Sequence, residues 1–150
     1  MEVAEFKNIV WDYTRKIGES MNCVFSPVGE HFGLTMMQTR ILMELHQDES
    51  HTIGSLADSV CAAGANVSNL CKKLEGQGLL ERIRNREDER VVRVVLTKTG
   101  KETVVEIDTS FNDKIAKHLM NETEETFEGI ILGLQKLDEL LQRISNIEKE

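Results

Sequence analysis

The chain has 150 residues, a single proline, 5% aromatic residues and a formal net charge of −8. This length suits one domain, and the long stretches rich in Leu, Ile, Glu and Lys favour helices with one small sheet. No stretch reaches a membrane-spanning length and the N-terminus lacks the basic residues of a secretory signal, so we expect a cytoplasmic protein without membrane contact.

The charge is polarised along the chain. Residues 61–100 contain eight basic and five acidic residues, a net charge of +3, whereas residues 1–60 and 101–150 carry −5 and −6. A basic centre between acidic ends is typical of a protein that contacts phosphates with its middle part.

Two helical segments are predicted before the basic centre. The first covers residues 4–19, and Ser26 followed by Pro27 predicts a short new helix or a kinked continuation, which Gly33 ends. Thr35 is expected to cap the next helix. The predicted apolar stripe of the first helix is Phe6, Ile9, Val10, Tyr13 and Ile17, and the predicted buried face of the next is Met37, Ile41, Leu42 and Leu45.

The most informative segment, residues 53–97, begins with two short helices. Apolar residues recur at helical offsets in both, and Cys61 to Gly64 leave room only for a turn between them. The second helix is therefore free to present its polar side to an anionic surface. The apolar sets are Ile53, Leu56, Ala57 and Val60 in the first helix, and Val67, Leu70, Cys71 and Leu74 in the second.

A two-stranded ribbon follows the second helix. After a break at Gly76 and Gly78, strands are predicted over 79–84 and 91–96, joined by a charged loop at 85–90. This order of elements is how a winged helix-turn-helix reads DNA, so we expect double-stranded DNA as the partner.

Two long helices are predicted after the ribbon. Thr97 can cap a helix over 98–119, and Thr123 can cap the last helix, whose apolar residues step by three and four as in a coiled-coil seam. We expect this seam to pack against a second chain, although packing within the chain is the alternative. The inward sets are Val104, Val105, Ile107, Phe111, Ile115 and Leu119, and then Phe127, Ile130, Leu134, Leu137, Leu141 and Ile144.

Several motifs resemble the MarR family of regulators, and their order and spacing carry the likeness. They are Gly33-Leu34-Thr35 with Gln38, Leu74-Glu75 with Gly78-Leu79-Leu80-Glu81-Arg82, and a wing over residues 85–100 with Asp88-x-Arg90 and Leu96-Thr97-x-x-Gly100. The resemblance implies one domain over 1–150, all-α with a small β wing. A DNA-binding lobe over about 34–97 would be flanked by dimerisation helices over about 4–32 and 98–148.

The resemblance also implies a function. Family members are homodimeric regulators, so we expect a repressor that leaves a pseudo-palindromic operator when a small aromatic or phenolic ligand binds. One departure is Ala63-Gly64-Ala65 at the start of the recognition helix, where the family usually has polar residues. A winged helix that docks protein instead of DNA is the alternative.

DNA contacts are expected first from the recognition helix. Asn66, Ser68 and Asn69 lie early in it, where side chains reach base edges, and amides can bond adenine in a bidentate way. Lys72 and Lys73 lie a turn later and are expected to meet phosphates. A merely solvated helix face is the competing interpretation.

The wing supplies the remaining expected contacts. Arg90 would reach into a minor groove, and Asp88 would orient its guanidinium without touching DNA. Arg84 and Arg86 are expected to contact phosphate. An ordinary surface ion pair is the alternative for Asp88 and Arg90.

An effector pocket is expected near Trp11, Arg15, His31 and Met36, because the family takes up aromatic ligands between the dimerisation helices and the DNA-binding lobe. Aromatic residues at helical spacing are otherwise core residues.

The remaining reactive residue types give a weaker signal. Cys23 is the candidate for a thiol-based redox sensor, whereas Cys61 and Cys71 occupy apolar slots and are expected in the core. The four histidines show no spacing typical of a metal site, and no catalytic motif is present. We therefore expect no metal, no cofactor and no enzymatic activity.

Overall fold

The computed structural model describes residues 2–84 and 92–147, and it is all-α with one small sheet, as predicted. None of the helices in these ranges is both long and apolar enough to cross a membrane. In chain order the elements are α1 (Val3–His31), α2 (Met36–Gln47), β1 (His51–Thr52), α3 (Ile53–Ser59), α4 (Gly64–Gly76), β2 (Leu80–Arg84), β3 (Val92–Leu96), α5 (Lys98–Leu119) and α6 (Glu124–Ile147).

Threonine side chains begin several of these helices, as the sequence predicts. At α2 the Thr35 hydroxyl accepts a hydrogen bond from the Gln38 amide, and the Gln38 side chain accepts one from the Thr35 amide. This reciprocal capping box satisfies two backbone donors that a helix start leaves free. The caps expected from Thr97 and Thr123 are also present.

Helix α1 is a single helix of 29 residues that runs through Pro27 to His31. The predicted end near residue 19 is therefore wrong, and of the two alternatives at Pro27 the continuation is correct. A proline removes one backbone donor, but burial of the final turn offsets that loss. Gly29 lies so close to α2 that an added Cβ would be 2.5 Å from the Thr39 hydroxyl, and neighbouring Val28 is also buried.

Three helices end with the same backbone arrangement, in which a residue with positive φ follows the last helical turn. Gly33 and Gly78 hold this position after α1 and α4, and Cys61 holds it after α3 with φ 52°. The Cys61 amide donates to the Asp58 carbonyl and the Ala62 amide to that of Ala57, which is a Schellman motif. Cys61 is therefore exposed, and its predicted core position is wrong because the turn directs it outward.

The sheet has three antiparallel strands in the order β1, β3, β2. The ribbon of β2 and β3 is as predicted, with a register from Leu80 opposite Leu96 to Arg84 opposite Val92. Strand β1 was not predicted, because two residues are too short to show a strand period. It pairs with β3 through His51 opposite Val94.

One hydrophobic core holds the winged helix together with parts of its neighbours. Besides α2, α3, α4 and the sheet, it includes Val28 of α1 and Val104 and Ile107 of α5. Of the inward positions predicted on α5, Val105 is wrong, since it is 53% exposed, and Leu119 is also exposed. The fully buried large side chains include Leu34, Ile41, Leu42, Leu45, Leu56, Val60, Val67, Leu74, Leu80 and Val94.

Two compact units divide the chain between Asn112 and Asp113. The first contains the core just described. The second contains α6. Three residues of its predicted seam, Ile130, Leu134 and Leu141, are about half exposed.

The start of α5 contacts the backbone of Gly78 and Leu79, the residues that follow α4. The Thr97 hydroxyl donates to the Gly78 carbonyl at 2.6 Å and accepts from the Gly100 amide at 3.0 Å. The Thr97 amide donates to the Leu79 carbonyl. A Cβ at residue 100 would lie 1.8 Å from the Leu79 carbonyl oxygen, so only glycine fits there. This contact gives the Leu96-Thr97-x-x-Gly100 motif its physical reason.

We predict that Gly100→Ala destabilises the protein by about 1–3 kcal/mol, because the methyl group must displace backbone rather than a flexible side chain. Urea unfolding monitored by circular dichroism measures the change. Gly76→Ala is the matched control, since Gly76 lies within α4 with open space around its Cα. It should be neutral or stabilise by up to about 1 kcal/mol. Equal stabilities of the two variants would contradict the close contact.

Candidate nucleic-acid interface

Helix α4 has one side in the core and one side in solvent. Val67, Cys71 and Leu74 are fully buried and fix the helix against its neighbours. The opposite side carries the predicted DNA-contacting residues. Of these, Asn66, Asn69, Lys72 and Lys73 are exposed, and Ser68 is half-buried.

The polar side of α4 has no partner within the chain. Among the described residues, Asn66, Asn69, Lys72 and Lys73 make no side-chain hydrogen bond or ion pair with one another or with other residues. Burial of the apolar side stabilises the helix, so the polar side chains are not needed to hold it in place. They remain free to bond an external partner.

The N-terminus of α4 differs from those of α2 and α3. Both of those helices begin with a capping box, through Thr35 and Thr52. Helix α4 begins after Ala63, which offers no side-chain cap. Its first backbone N–H groups therefore keep their hydrogen-bonding capacity, at the end of the helix that carries partial positive charge.

Helix α4 and the wing are tied together by an ion pair between the exposed Glu75 and the half-buried Arg82. Glu75 accepts hydrogen bonds from the Arg82 amide at 3.2 Å and from its Nε at 3.1 Å. The sequence likeness included both residues but did not predict their contact. Together with the α4–α5 junction, this pair fixes the strand β2 relative to the recognition helix.

Basic residues continue along the ribbon. Arg84 is exposed at the last described position of β2, opposite Val92. Arg93 is exposed on β3 and donates to the Ser50 hydroxyl at 3.2 Å. Sequence reasoning missed Arg93, although its place between Val92 and Val94 follows the alternation of a strand with one buried face. The expected contacts Arg86, Asp88 and Arg90 lie outside the described residues.

The expected effector residues are not gathered in one place within the chain. Trp11 and Arg15 line a shallow cavity with Thr14, whereas His31 lies 16 residues beyond Arg15 on the same helix, roughly 24 Å along its axis. Met36 is half-buried at the start of α2.

The Arg15 guanidinium is held on α1 by ion pairs. It donates to Asp12 at 3.0 Å and to Glu19 at 2.9 Å. Hydrogen bonds from Lys16 and Arg15 hold the pKa of the Asp12 carboxyl below its ordinary value. An acidic ligand would therefore have to compete with two carboxylates for this guanidinium.

The cysteines differ in their capacity to react. Cys71 is fully buried as predicted, and burial raises the pKa of its thiol to about 11, against the opposing effect of the nearby positive charge of Arg82. A neutral, buried thiol is a poor nucleophile. Cys23 and Cys61 are exposed, so the candidate sensor Cys23 is accessible in the single chain.

Comparisons with known proteins agree with this geometry. The family model described as transcriptional regulator SarA/Rot matches residues 23–107. SarZ from Staphylococcus epidermidis is 30% identical over 109 residues, which cover 71% of the chain and 70% of the relative. SarZ from Staphylococcus haemolyticus is 34% identical over 67 residues, 45% of the chain, and the match spans only 46% of that relative.

Solved structures share the fold. The S. aureus MepR–DNA complex has a TM-score of 0.72 at 26% identity, over 83% of the chain and 93% of MepR. AbsC, a MarR family transcriptional regulator from Streptomyces coelicolor, has a TM-score of 0.76 at 20% identity. The match covers 95% of the chain and 98% of AbsC. Family membership agrees with the expectation that the chain is not an enzyme. The chain belongs to the SarA/Rot family of transcriptional regulators and has the MarR-type winged-helix fold.

Proposed function

We propose that the chain binds operator DNA by inserting α4 into the major groove. The observation that carries this proposal is the partnerless polar side of a helix whose other side is fixed in the core. Asn66 and Asn69 are three residues apart on that side and offer amides that can bond adenine. MepR, which is 26% identical, was solved bound to DNA.

The charges of the site support contact with phosphates. Lys72, Lys73 and Arg84 are exposed, and Arg93 extends the basic surface to β3. The uncapped start of α4 adds backbone donors, which suit a phosphate near a helix N-terminus. Arg86 and Arg90 belong to the proposal as phosphate and minor-groove contacts, with Asp88 orienting Arg90. Regulation of operator DNA would place the protein in the cytoplasm.

Alanine substitutions separate base contacts from phosphate contacts. Lys72→Ala and Lys73→Ala should weaken binding to all duplexes and reduce the slope of log K against log salt by about one unit per lost contact. Asn69→Ala should cost about 1–3 kcal/mol on the operator alone. Fluorescence anisotropy with a duplex from the region upstream of the chain's own gene, and with an unrelated duplex, measures both effects.

The matched control is Lys136→Ala, which removes the same charge from an exposed position of α6. It should leave the salt slope unchanged. If the three α4 variants all bind like the wild-type protein, α4 does not read DNA. If the wild-type protein binds no duplex but retains its fold, a winged helix that docks another protein becomes the better account.

We further propose a homodimer, because exposed apolar residues form a line along one face of α1 and another along α6. On α1, Ile9, Tyr13, Ile17 and Met21 recur every four residues and are 40–60% exposed. On α6, Ile130, Leu134 and Leu141 belong to the predicted seam and are 47–56% exposed. Continuous apolar faces of this length are typical of surfaces that another chain covers.

Charges placed in the seam test the dimer. Leu134→Asp or Leu141→Asp should give monomers or insoluble protein, because a buried unpaired charge is strongly unfavourable. Gln135→Asp is the control, since it adds the same charge to α6 beside the seam and should leave the dimer intact. Light scattering measures the mass. A dimer of unchanged mass in either leucine variant would remove the seam from the interface.

Control by a small ligand completes the proposed function. A dimer can place two recognition helices in successive major grooves only near one helical turn of separation, roughly 34 Å. A ligand that binds the free dimer more tightly than the DNA-bound dimer shifts the equilibrium towards the free dimer and so releases the operator. We propose a small aromatic acid or phenol as the effector and repression as the outcome. Since Arg15 and His31 are far apart on α1, a site using both requires residues from a second chain.

Trp11 is the only tryptophan and is 77% exposed, so its fluorescence should report the effector. Benzoate or phenol should change Trp11 emission and lower operator affinity, whereas cyclohexanecarboxylate should do neither. Cys23→Ser should leave this response intact. If Cys23→Ser abolishes release by peroxide while benzoate and phenol affect neither emission nor affinity, thiol sensing at the exposed Cys23 replaces the ligand proposal.

A further inference from the structure

Three potential metal ligands converge beside the helix-turn-helix. They are Glu44 in the last turn of α2, Asp48 at its C-terminal cap and His51 on β1. One ligand atom from each lies within 4.8 Å of the other two. Glu44 and Asp48 are four residues apart, so their carboxylates share one face of α2. Strand β1 brings the imidazole to that face.

The His51 imidazole is buried without a hydrogen-bond partner on one of its nitrogens. Its side chain is 9% exposed and its Nε2 lies 3.6 Å from the Asp48 Oδ2. That distance exceeds a hydrogen bond, and Nε2 makes none elsewhere in the described residues. A buried polar atom without a partner is unfavourable. The orientation of Nε2 towards two carboxylates therefore suits a cation bound by all three side chains.

The other ring nitrogen of His51 is already engaged. Nδ1 lies 3.1 Å from the Ser55 hydroxyl, and that hydroxyl donates to the Thr52 carbonyl. In the tautomer that carries its proton on Nδ1, the ring donates to Ser55 and the lone pair of the neutral imidazole lies on Nε2, where a metal ion can bind it. Metal-binding histidines have this arrangement, with the second nitrogen donating to a neighbouring group.

The location of the carboxylates adds an electrostatic argument. Both lie at the C-terminal end of α2, where the helix dipole disfavours negative charge. No basic side chain pairs with Glu44 or Asp48 among the described residues, apart from His51 itself. A single cation at this point would offset the negative charge of the two carboxylates and also give the unpaired Nε2 a partner.

We propose that Glu44, Asp48 and His51 bind one divalent transition-metal ion, with zinc as the best match. Zinc takes imidazole nitrogen and carboxylate oxygen ligands at about 2.0–2.2 Å, which places neighbouring ligand atoms ~3.4 Å apart in a tetrahedron. Water would complete the coordination. The half-buried Glu44 and exposed Asp48 side chains have room to close the remaining gap, while His51 is fixed by burial and Ser55.

The ion would join three elements of the winged helix. His51 pairs with Val94 of β3, and Thr52, the next residue, caps α3. Binding would therefore tie the end of α2 to the start of α3 and to the wing strand. The expectation of no metal site rested on the spacing of the four histidines, and this group uses only one of them.

Zinc titration tests the site directly. The protein is stripped of metal and carries Cys23→Ser and Cys61→Ser, so that the exposed thiols cannot bind the ion. Isothermal titration calorimetry should find one zinc ion per chain, and the unfolding temperature should rise with zinc concentration. Magnesium should do neither, because it prefers oxygen ligands and retains its water.

Variants then locate the ion. Asp48→Asn and His51→Gln should each weaken zinc binding about tenfold or more. His46→Gln is the matched control, because His46 is exposed on α2 and is not one of the three converging ligands, and it should bind like the parent. If His51→Gln fails to fold, the zinc affinity of Asp48→Asn alone tests whether the ion binds at this site. Zinc binding that Asp48→Asn leaves unchanged, or a parent that binds no zinc, would overturn the proposal.

Discussion

The contact between the end of α4 and the start of α5 determines how the winged helix is assembled. Thr97 bonds to the Gly78 carbonyl and the Leu79 carbonyl, and Gly100 comes so close to Leu79 that no side chain fits. Four element ends meet here, those of α4, β2, β3 and α5. Because the Thr97 side chain bonds to backbone on both sides and Gly100 packs directly against the Leu79 backbone, the contact sets the angle between α4 and the wing with little tolerance.

This rigidity would let a helix with so polar a surface present its side chains to DNA in a fixed geometry, as we propose. Fully buried Val67, Cys71 and Leu74 hold α4 from one side, and Glu75 fastens it to Arg82 of the wing. The solvent side contributes nothing to that fixation. Side chains that are not needed for folding can be selected for a partner, and base recognition requires that they be presented in a fixed geometry. The net charge of −8 does not oppose this function, because the positive charge is concentrated between residues 61 and 100.

Much of the fold could be predicted because it depends on local chemistry. Apolar spacing located α3 and α4, threonine caps located the starts of α2, α5 and α6, and alternation located the ribbon. The errors come from tertiary context. Helix α1 continues through Pro27 because α2 buries its last turn, and β1 exists only because β3 pairs with it. Cys61 looked like a core residue, yet the turn after α3 required a left-handed residue at that position.

The candidate site shows the same division between local and long-range signals. The polar residues of α4 followed from helical spacing, and Arg93 could have been found from strand alternation. The Glu75–Arg82 pair could not, because neither residue has a pattern that specifies the other. The convergence of Glu44, Asp48 and His51 depends on the path of the chain between α2 and β1, so no spacing rule reveals it.

The central claim is that the exposed side of α4 meets DNA. The most direct measurement is a nuclear magnetic resonance titration with a duplex from the upstream region, following the side-chain amides of Asn66 and Asn69 and the backbone amides of residues 64–73. We expect their shifts to change at DNA concentrations that leave the amides of α6 unaffected. Shifts confined to other helices, with residues 64–73 unchanged in a saturated complex, would contradict the account.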